Sequence, residues 1–183
     1  SINFIGAGVS GGSKGARIGP SIMPGCDKDI YDEIKPIFEA ASAKVNGDPC
    51  VTYLGNTSSG HYVTMIHNGI EYEIMQLISE NYHVLKYGLK LDNNNIHSVF
   101  KEWNEGQLNS YLIEITRDIF LAKDNDSGTH IVDLILDKAK QKGTGKWTSQ
   151  SAMDLGVSIP TIDSAVSMRI ISSFKDMRKK GEK

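Results

Sequence analysis

Residues 60–76 read GHYVTMIHNGIEYEIMQ and place Thr64, His67, Asn68 and Glu71 at helical offsets of 0, 3, 4 and 7. Side chains at those offsets share one stripe of an α-helix. An imidazole, an amide and a carboxyl group side by side on a core-packed helix read as a catalytic face. Taken singly, a buried hydrogen-bonded histidine and an exposed helix carboxylate are the commoner explanations. The combination argues against that plainer account, and so does Gly69. A mid-helix glycine costs about 1 kcal/mol relative to alanine, and it is easier to understand where a ligand or another backbone comes close. Val63, Ile66, Ile70, Ile74 and Leu77 form a second stripe, expected to face a core.

Three further segments carry chemistry. Residues 141–148, QKGTGKWT, form a glycine-containing turn with two lysines and two threonines. Lys140 stands where a Walker loop needs its first glycine, so that motif is excluded. The turn can still hold a single phosphate through Lys142, the Thr144 hydroxyl and backbone N–H groups, although an ordinary turn with solvated lysines is the simpler reading. Arg169 sits in the apolar run AVSMRII and needs a partner, because an unpaired buried charge is costly. Asp163, Glu71 or a bound anion are the candidates. Gly6 to Gly11 spells GxGxxG, but Gly12 to Pro20 looks too glycine-rich to open the helix that a dinucleotide pyrophosphate requires. An extended loop is expected there instead.

The elements that must position these residues follow from periodicity and punctuation. A short strand is expected at Ile2–Ile5, a helix from Asp27 to Val45 with Ile30, Ile34, Ile37 and Phe38 inward, and a strand at Cys50–Leu54. That is the end of a Rossmann-type α/β layer, residues 1–57. From residue 58 to 183 the pattern is mainly α. A long helix is expected over Gly60–Tyr87, and others over Asn95–Trp103, Leu108–Phe120 (Leu112, Ile115 and Ile119 on one face), Ile131–Lys142, Ser149–Leu155 and Thr161–Lys183. The fold class is therefore mainly α, with an α/β end followed by a long helix and an all-helical domain.

Composition narrows the function. A net charge of −2 over 183 residues leaves no basic footprint for nucleic acid. Cys26 and Cys50 belong to no CxxC or Cys/His cluster, and the five histidines form no metal-ligand pattern, so neither a zinc site nor a disulfide framework is expected. No apolar run is long enough to cross a bilayer and no signal-like start is present, which suits a cytoplasmic protein.

Taken together, the segments FIGAGVSGG, GARIGPSIMPG, GHYVTMIHNGIEYEIMQ, EWNEGQLNSYLIEIT and QKGTGKWT resemble the decarboxylating 6-phosphogluconate dehydrogenase family over nearly the whole chain. The resemblance implies an NADP-dependent, homodimeric enzyme that converts 6-phosphogluconate to ribulose 5-phosphate and carbon dioxide. By the same resemblance Ser10, Gly11 and Gly12 contact the sugar-acid end of the substrate, and His67 and Asn68 hold its carboxylate and hydroxyls. Glu71 protonates the enediol, while Tyr72, Lys142, Thr144 and Arg169 surround the phosphate. Two departures stand out. The family has a lysine as general base where this chain has Thr64, and a threonine hydroxyl is too weakly basic to replace it. The family's main dinucleotide motif and its C-terminal segment also have no counterpart, so a fragment that is inactive by itself is expected. The alternatives are a catalytically dead module for sugar-phosphate binding or dimerisation, and a β-hydroxyacid dehydrogenase acting on a smaller substrate.

Overall fold

A computed structural model describes residues 2–182. Strand β1 (Gly6–Ser10) pairs antiparallel with β2 (Ser21–Gly25), Gly6 opposite Gly25 and Ser10 opposite Ser21. The strand thus starts at Gly6 rather than at Ile2. Ile2 and Phe4 are exposed with no ladder to join, so β propensity alone does not make a strand there. The expected extended loop after it is a short helix, α1 (Gly12–Ile18). It forms despite Gly12 and Gly15 because Gly15 N–H donates to Gly11 O and Gly19 N–H to Gly15 O. A side chain at Gly15 would press on Pro20 Cα at 3.4 Å.

Helix α2 (Lys28–Ala41) begins at Asp27, whose side chain makes no capping bond. Its buried residue is Tyr31, paired with the Tyr53 ring at 5.1 Å. Ile30, Ile34 and Phe38 are half-buried, and the expected inward Ile37 is exposed. Cys50–Leu54 does not become a strand. Val51 makes one parallel bridge to Ile22, and Leu54 N–H donates to Pro24 O. Pro24 offers no N–H in return, so the ladder cannot continue. A hairpin of β3 (Lys44–Val45) and β4 (Asp48–Pro49) turns through Asn46 and Gly47, both at positive φ.

Helix α3 (Ser59–His83) continues into a π-helical turn, Val84–Gly88. The chain divides into two compact units. One joins Ser1–Ile70 with Gly143–Gly156, and the other joins Glu71–Lys142 with Val157–Lys183. These units cut the chain differently from the expected 1–57 and 58–183. In the first unit, α3 starts against the β1–β2 backbone. A Cβ on Gly60 would collide with Met23 O, and one on Gly8 with Thr64 Oγ1. Helix α7 (Thr144–Leu155) belongs to this unit.

The second unit has two apolar clusters. Tyr72, Ile162, Ala165 and Val166 pack between α3 and α8 (Pro160–Ser173). Ile96, Phe100, Ile113 and Phe120 join α4 (Asn93–Glu105) to α5 (Tyr111–Ile119). Asp92 and Ser110 cap these two helices by accepting from Asn95 and Ile113 N–H. The buried face of α5 is Ile113, not the expected Leu112, Ile115 and Ile119. The expected helix over 131–142 is only α6 (Ile131–Leu134). Beyond it, Ile135 and Leu136 are exposed, Ser172 Oγ accepts from Ala139 N–H, and Arg178 holds the Asp137 carbonyl and carboxylate. The last expected helix breaks at Phe174 into α8 and α9 (Lys175–Gly181). The α3 stripe of Val63, Ile70, Ile74 and Leu77 is exposed rather than packed.

Candidate functional site

In the first unit the site starts at the end of β1. Ser10 closes the strand, Gly11 caps α1 at φ 141°, and Gly12 opens it at φ 57°. Both angles lie where a side chain is strained, which accounts for two successive glycines. At Gly11 there is also a steric reason, because a Cβ would stand 2.9 Å from Gly15 Cα.

Opposite β1, α3 presents Thr64 and Asn68 to a cavity of about 440 Å³, shared with Ser58, His61, Thr144 and Trp147. The Thr64 hydroxyl donates to Gly60 O at 2.9 Å, with Met23 Sδ at 3.3 Å. Its single proton is directed at the helix backbone, the inward bond that mid-helix threonines commonly make. His67 is exposed on the same helix, and Asn68 is half-buried.

Thr144 opens α7, so the expected 141–148 turn is a loop only up to its N-cap, Gly143, at φ 111°. The first turn of α7 carries no acidic residue. Its unsatisfied N–H groups and the positive end of the helix dipole favour an anion there. Lys142, just before the cap, is exposed. Within the same unit α7 crosses α3 at Gly69. A Cβ at Gly69 would lie 2.7 Å from both Cγ2 and Oγ1 of Thr148. The mid-helix glycine is thus explained by a neighbouring side chain, Thr148, which periodicity did not single out. Thr148 is 1% exposed, and its hydroxyl lies 2.9 Å from both Met65 O and Thr144 O. Tyr62 adds a second tie across the helices, its hydroxyl 3.0 Å from Ser151 Oγ.

In the second unit Glu71 is half-buried and Tyr72 is buried. The Arg169 guanidinium stands over the Tyr72 ring at 4.6 Å, donates to Lys140 O at 3.2 Å, and approaches Met75 Sδ at 3.8 Å. Of the candidate partners for Arg169, Asp163 has its Oδ1 atom buried without a hydrogen-bond partner. A ring, a carbonyl and a thioether fix the cation without neutralising it. Cys26 is buried, and burial, with Asp27 beside it, pushes its thiol pKa up, so it is a poor nucleophile. Among the described residues no cluster of His, Cys, Asp and Glu could hold a metal ion, and no helix is long and apolar enough to cross a membrane.

A family described as "6-phosphogluconate dehydrogenase, C-terminal domain" matches residues 60–183, and one described as "NAD binding domain of 6-phosphogluconate dehydrogenase" matches residues 1–55. The chain is 61% identical over 179 residues to a Bacillus subtilis protein named "6-phosphogluconate dehydrogenase, NADP(+)-dependent, decarboxylating". That match covers 98% of this chain and 38% of the relative, so the chain spans little more than a third of that length. A solved Plasmodium falciparum 6-phosphogluconate dehydrogenase superposes with a TM-score of 0.91 at 54% identity, over 97% of this chain and 38% of that one. A Salmonella typhimurium 3-hydroxyisobutyrate dehydrogenase shares the fold at a TM-score of 0.63 and 18% identity, over 92% of this chain and 54% of that one.

Proposed function

The chain belongs to the 6-phosphogluconate dehydrogenase family, and from that premise we propose that it carries the substrate side of a decarboxylating, NADP-dependent enzyme of the pentose phosphate pathway. The substrate is 6-phosphogluconate, and the products are ribulose 5-phosphate and carbon dioxide. Ser10, Gly11 and Gly12 offer a hydroxyl and backbone N–H groups to the sugar-acid end, and His67 and Asn68 bind its carboxylate and hydroxyls. Glu71 returns a proton to the enediol carbon as the ketone forms. Lys142, Thr144 and Arg169 bind the phosphate, with Tyr72 bracing the guanidinium. The whole protein acts as a cytoplasmic homodimer, with residues 1–57 as the end of its nucleotide domain.

The observation that carries this reading is Arg169. It is a half-buried cation over the Tyr72 ring, and its hydrogen bonds go to the neutral Lys140 carbonyl and Met75 thioether. A phosphate is the complementary charge, and a guanidinium fork binds phosphate well.

The described residues do not fit the pyrophosphate of a dinucleotide. The crossover from β2 through α2 to Val51 is parallel, but it enters its helix at Asp27 with Asp29 in the first turn. Those carboxylates oppose an anion at that helix end. The β1–α1 turn is glycine-rich but returns antiparallel. No step is therefore assigned through NADP.

Thr64 occupies the family's base position with its proton directed at Gly60 O. Loss of a positioned base costs on the order of 10²–10⁴-fold in rate, so turnover is expected to be slow while substrate binding persists. That favours one second reading, a catalytically dead member kept for binding sugar phosphate or for dimerisation. Binding is tested by calorimetry on the full-length protein with 6-phosphogluconate and with gluconate. The phosphorylated acid is expected to bind at least about tenfold more tightly, the equivalent of 1.4 kcal/mol. Equal affinities would contradict the reading and favour a smaller, unphosphorylated hydroxyacid.

A further inference from the structure

Resting on that reading, we propose that Thr148 is a positioning residue for the substrate phosphate, acting through the crossing of α3 and α7. Thr144 and Asn68 line one cavity from two different helices. Their separation sets how a ligand held at its phosphate end by Thr144 presents its other end to Asn68. The crossing that fixes this separation has very little slack. Thr148 Cγ2 and Oγ1 sit where a Gly69 Cβ would be 2.7 Å away, so α3 and α7 approach as closely as a glycine permits.

The same side chain locks the crossing in register. Its hydroxyl reaches Met65 O on α3 and Thr144 O on α7, each at 2.9 Å. A hydroxyl has one proton, so the two carbonyls share a single donor. One acceptor is the backbone of Thr144 itself, and the other lies three residues before Asn68 on α3. Being 1% exposed, this donor has no access to water as a substitute partner. Removing it takes the shared donor from both carbonyls and frees the start of α7 to shift. A displacement of about 1 Å at a binding site is enough to cost on the order of 10²-fold in rate.

The test uses the full-length protein and compares 6-phosphogluconate with gluconate by calorimetry, alongside thermal denaturation. Thr148→Val keeps the shape and loses the donor, and Thr148→Ser keeps the donor. Thr148→Val is expected to weaken 6-phosphogluconate binding about tenfold, the worth of one ordinary net hydrogen bond, with gluconate binding unchanged. Thr148→Ser is expected to keep the preference for the phosphorylated acid. Should Thr148→Val fail to fold, Gly69→Ala serves instead, since it retains the hydroxyl but forces the helices apart and is expected to lose the preference. A preference that survives in Thr148→Val or in Gly69→Ala, or that is lost equally in Thr148→Ser, overturns the proposal. If the unsubstituted protein shows no preference for the phosphate, the functional reading itself fails and the positioning role falls with it.

Discussion

On the proposed function the Thr64 hydroxyl stands where the substrate proton is taken, and its own proton has an acceptor in the helix backbone. It is donated to Gly60 O, on the side of α3 that faces β1. Gly8 is the partner of that arrangement, since any Cβ there would collide with Thr64 Oγ1. Gly8→Ala is accordingly expected to destabilise the fold by about 1–3 kcal/mol, measured by denaturant titration. A wild-type midpoint would show that β1 and α3 can separate at no cost. Arg169 is a matching case on the substrate side. Arg169→Lys keeps the charge but loses the guanidinium that stands over the Tyr72 ring and its fork of donors. It is expected to raise the dissociation constant for 6-phosphogluconate about tenfold and leave gluconate binding alone. Equal loss for both ligands would place Arg169 away from the phosphate.

At the scale of elements, strongly periodic segments were readable and packing details were not. The long helix, the middle of α4 and α5 and the apolar character of α8 follow from spacing, whereas the Asp92 and Ser110 caps lie outside the ends that spacing marked. The direction in which α3 packs does not. Its small residues Gly60 and Gly69, not its large aliphatics, mark the sides where backbone and Thr148 approach. Residues 135–142 were expected to be helical, yet Ser172 and Arg178 hold that backbone outside a helix, with Asp137 at positive φ. Thr148 gave no signal beyond its place in the QKGTGKWT match, because a buried threonine hydroxyl has no periodicity. In the α4–α5 cluster Ile96 and Phe100 are at 0% exposure. Phe100→Ala is expected to cost about 3–5 kcal/mol by chemical denaturation, and a change under 1 kcal/mol would mean that the cluster does not hold α4 to α5. In the turn after α5, the Ser127 hydroxyl and N–H donate to Asp124 and hold its carboxyl below the usual carboxylate range. A depressed folded pKa contributes stability above the unfolded value and loses it as pH falls through the folded one. Ser127→Ala is therefore expected to raise the Asp124 pKa in an NMR titration, and an unchanged value would break the link.

For the molecule as a whole, the mainly α composition, the α/β start and the family were legible from a handful of long motifs. The return of α7 in space to the first unit, after about 70 residues spent in the second, has no periodic signature. On the proposed function the substrate side is intact and the chemistry fails at the position-64 side chain. The most direct test is NADP reduction with 6-phosphogluconate by the full-length protein, compared with its Thr64→Lys variant. The account predicts a rate at least about 10²-fold higher with lysine. Near-equal rates with threonine and lysine would contradict it, since position 64 would then not be where the substrate proton is taken.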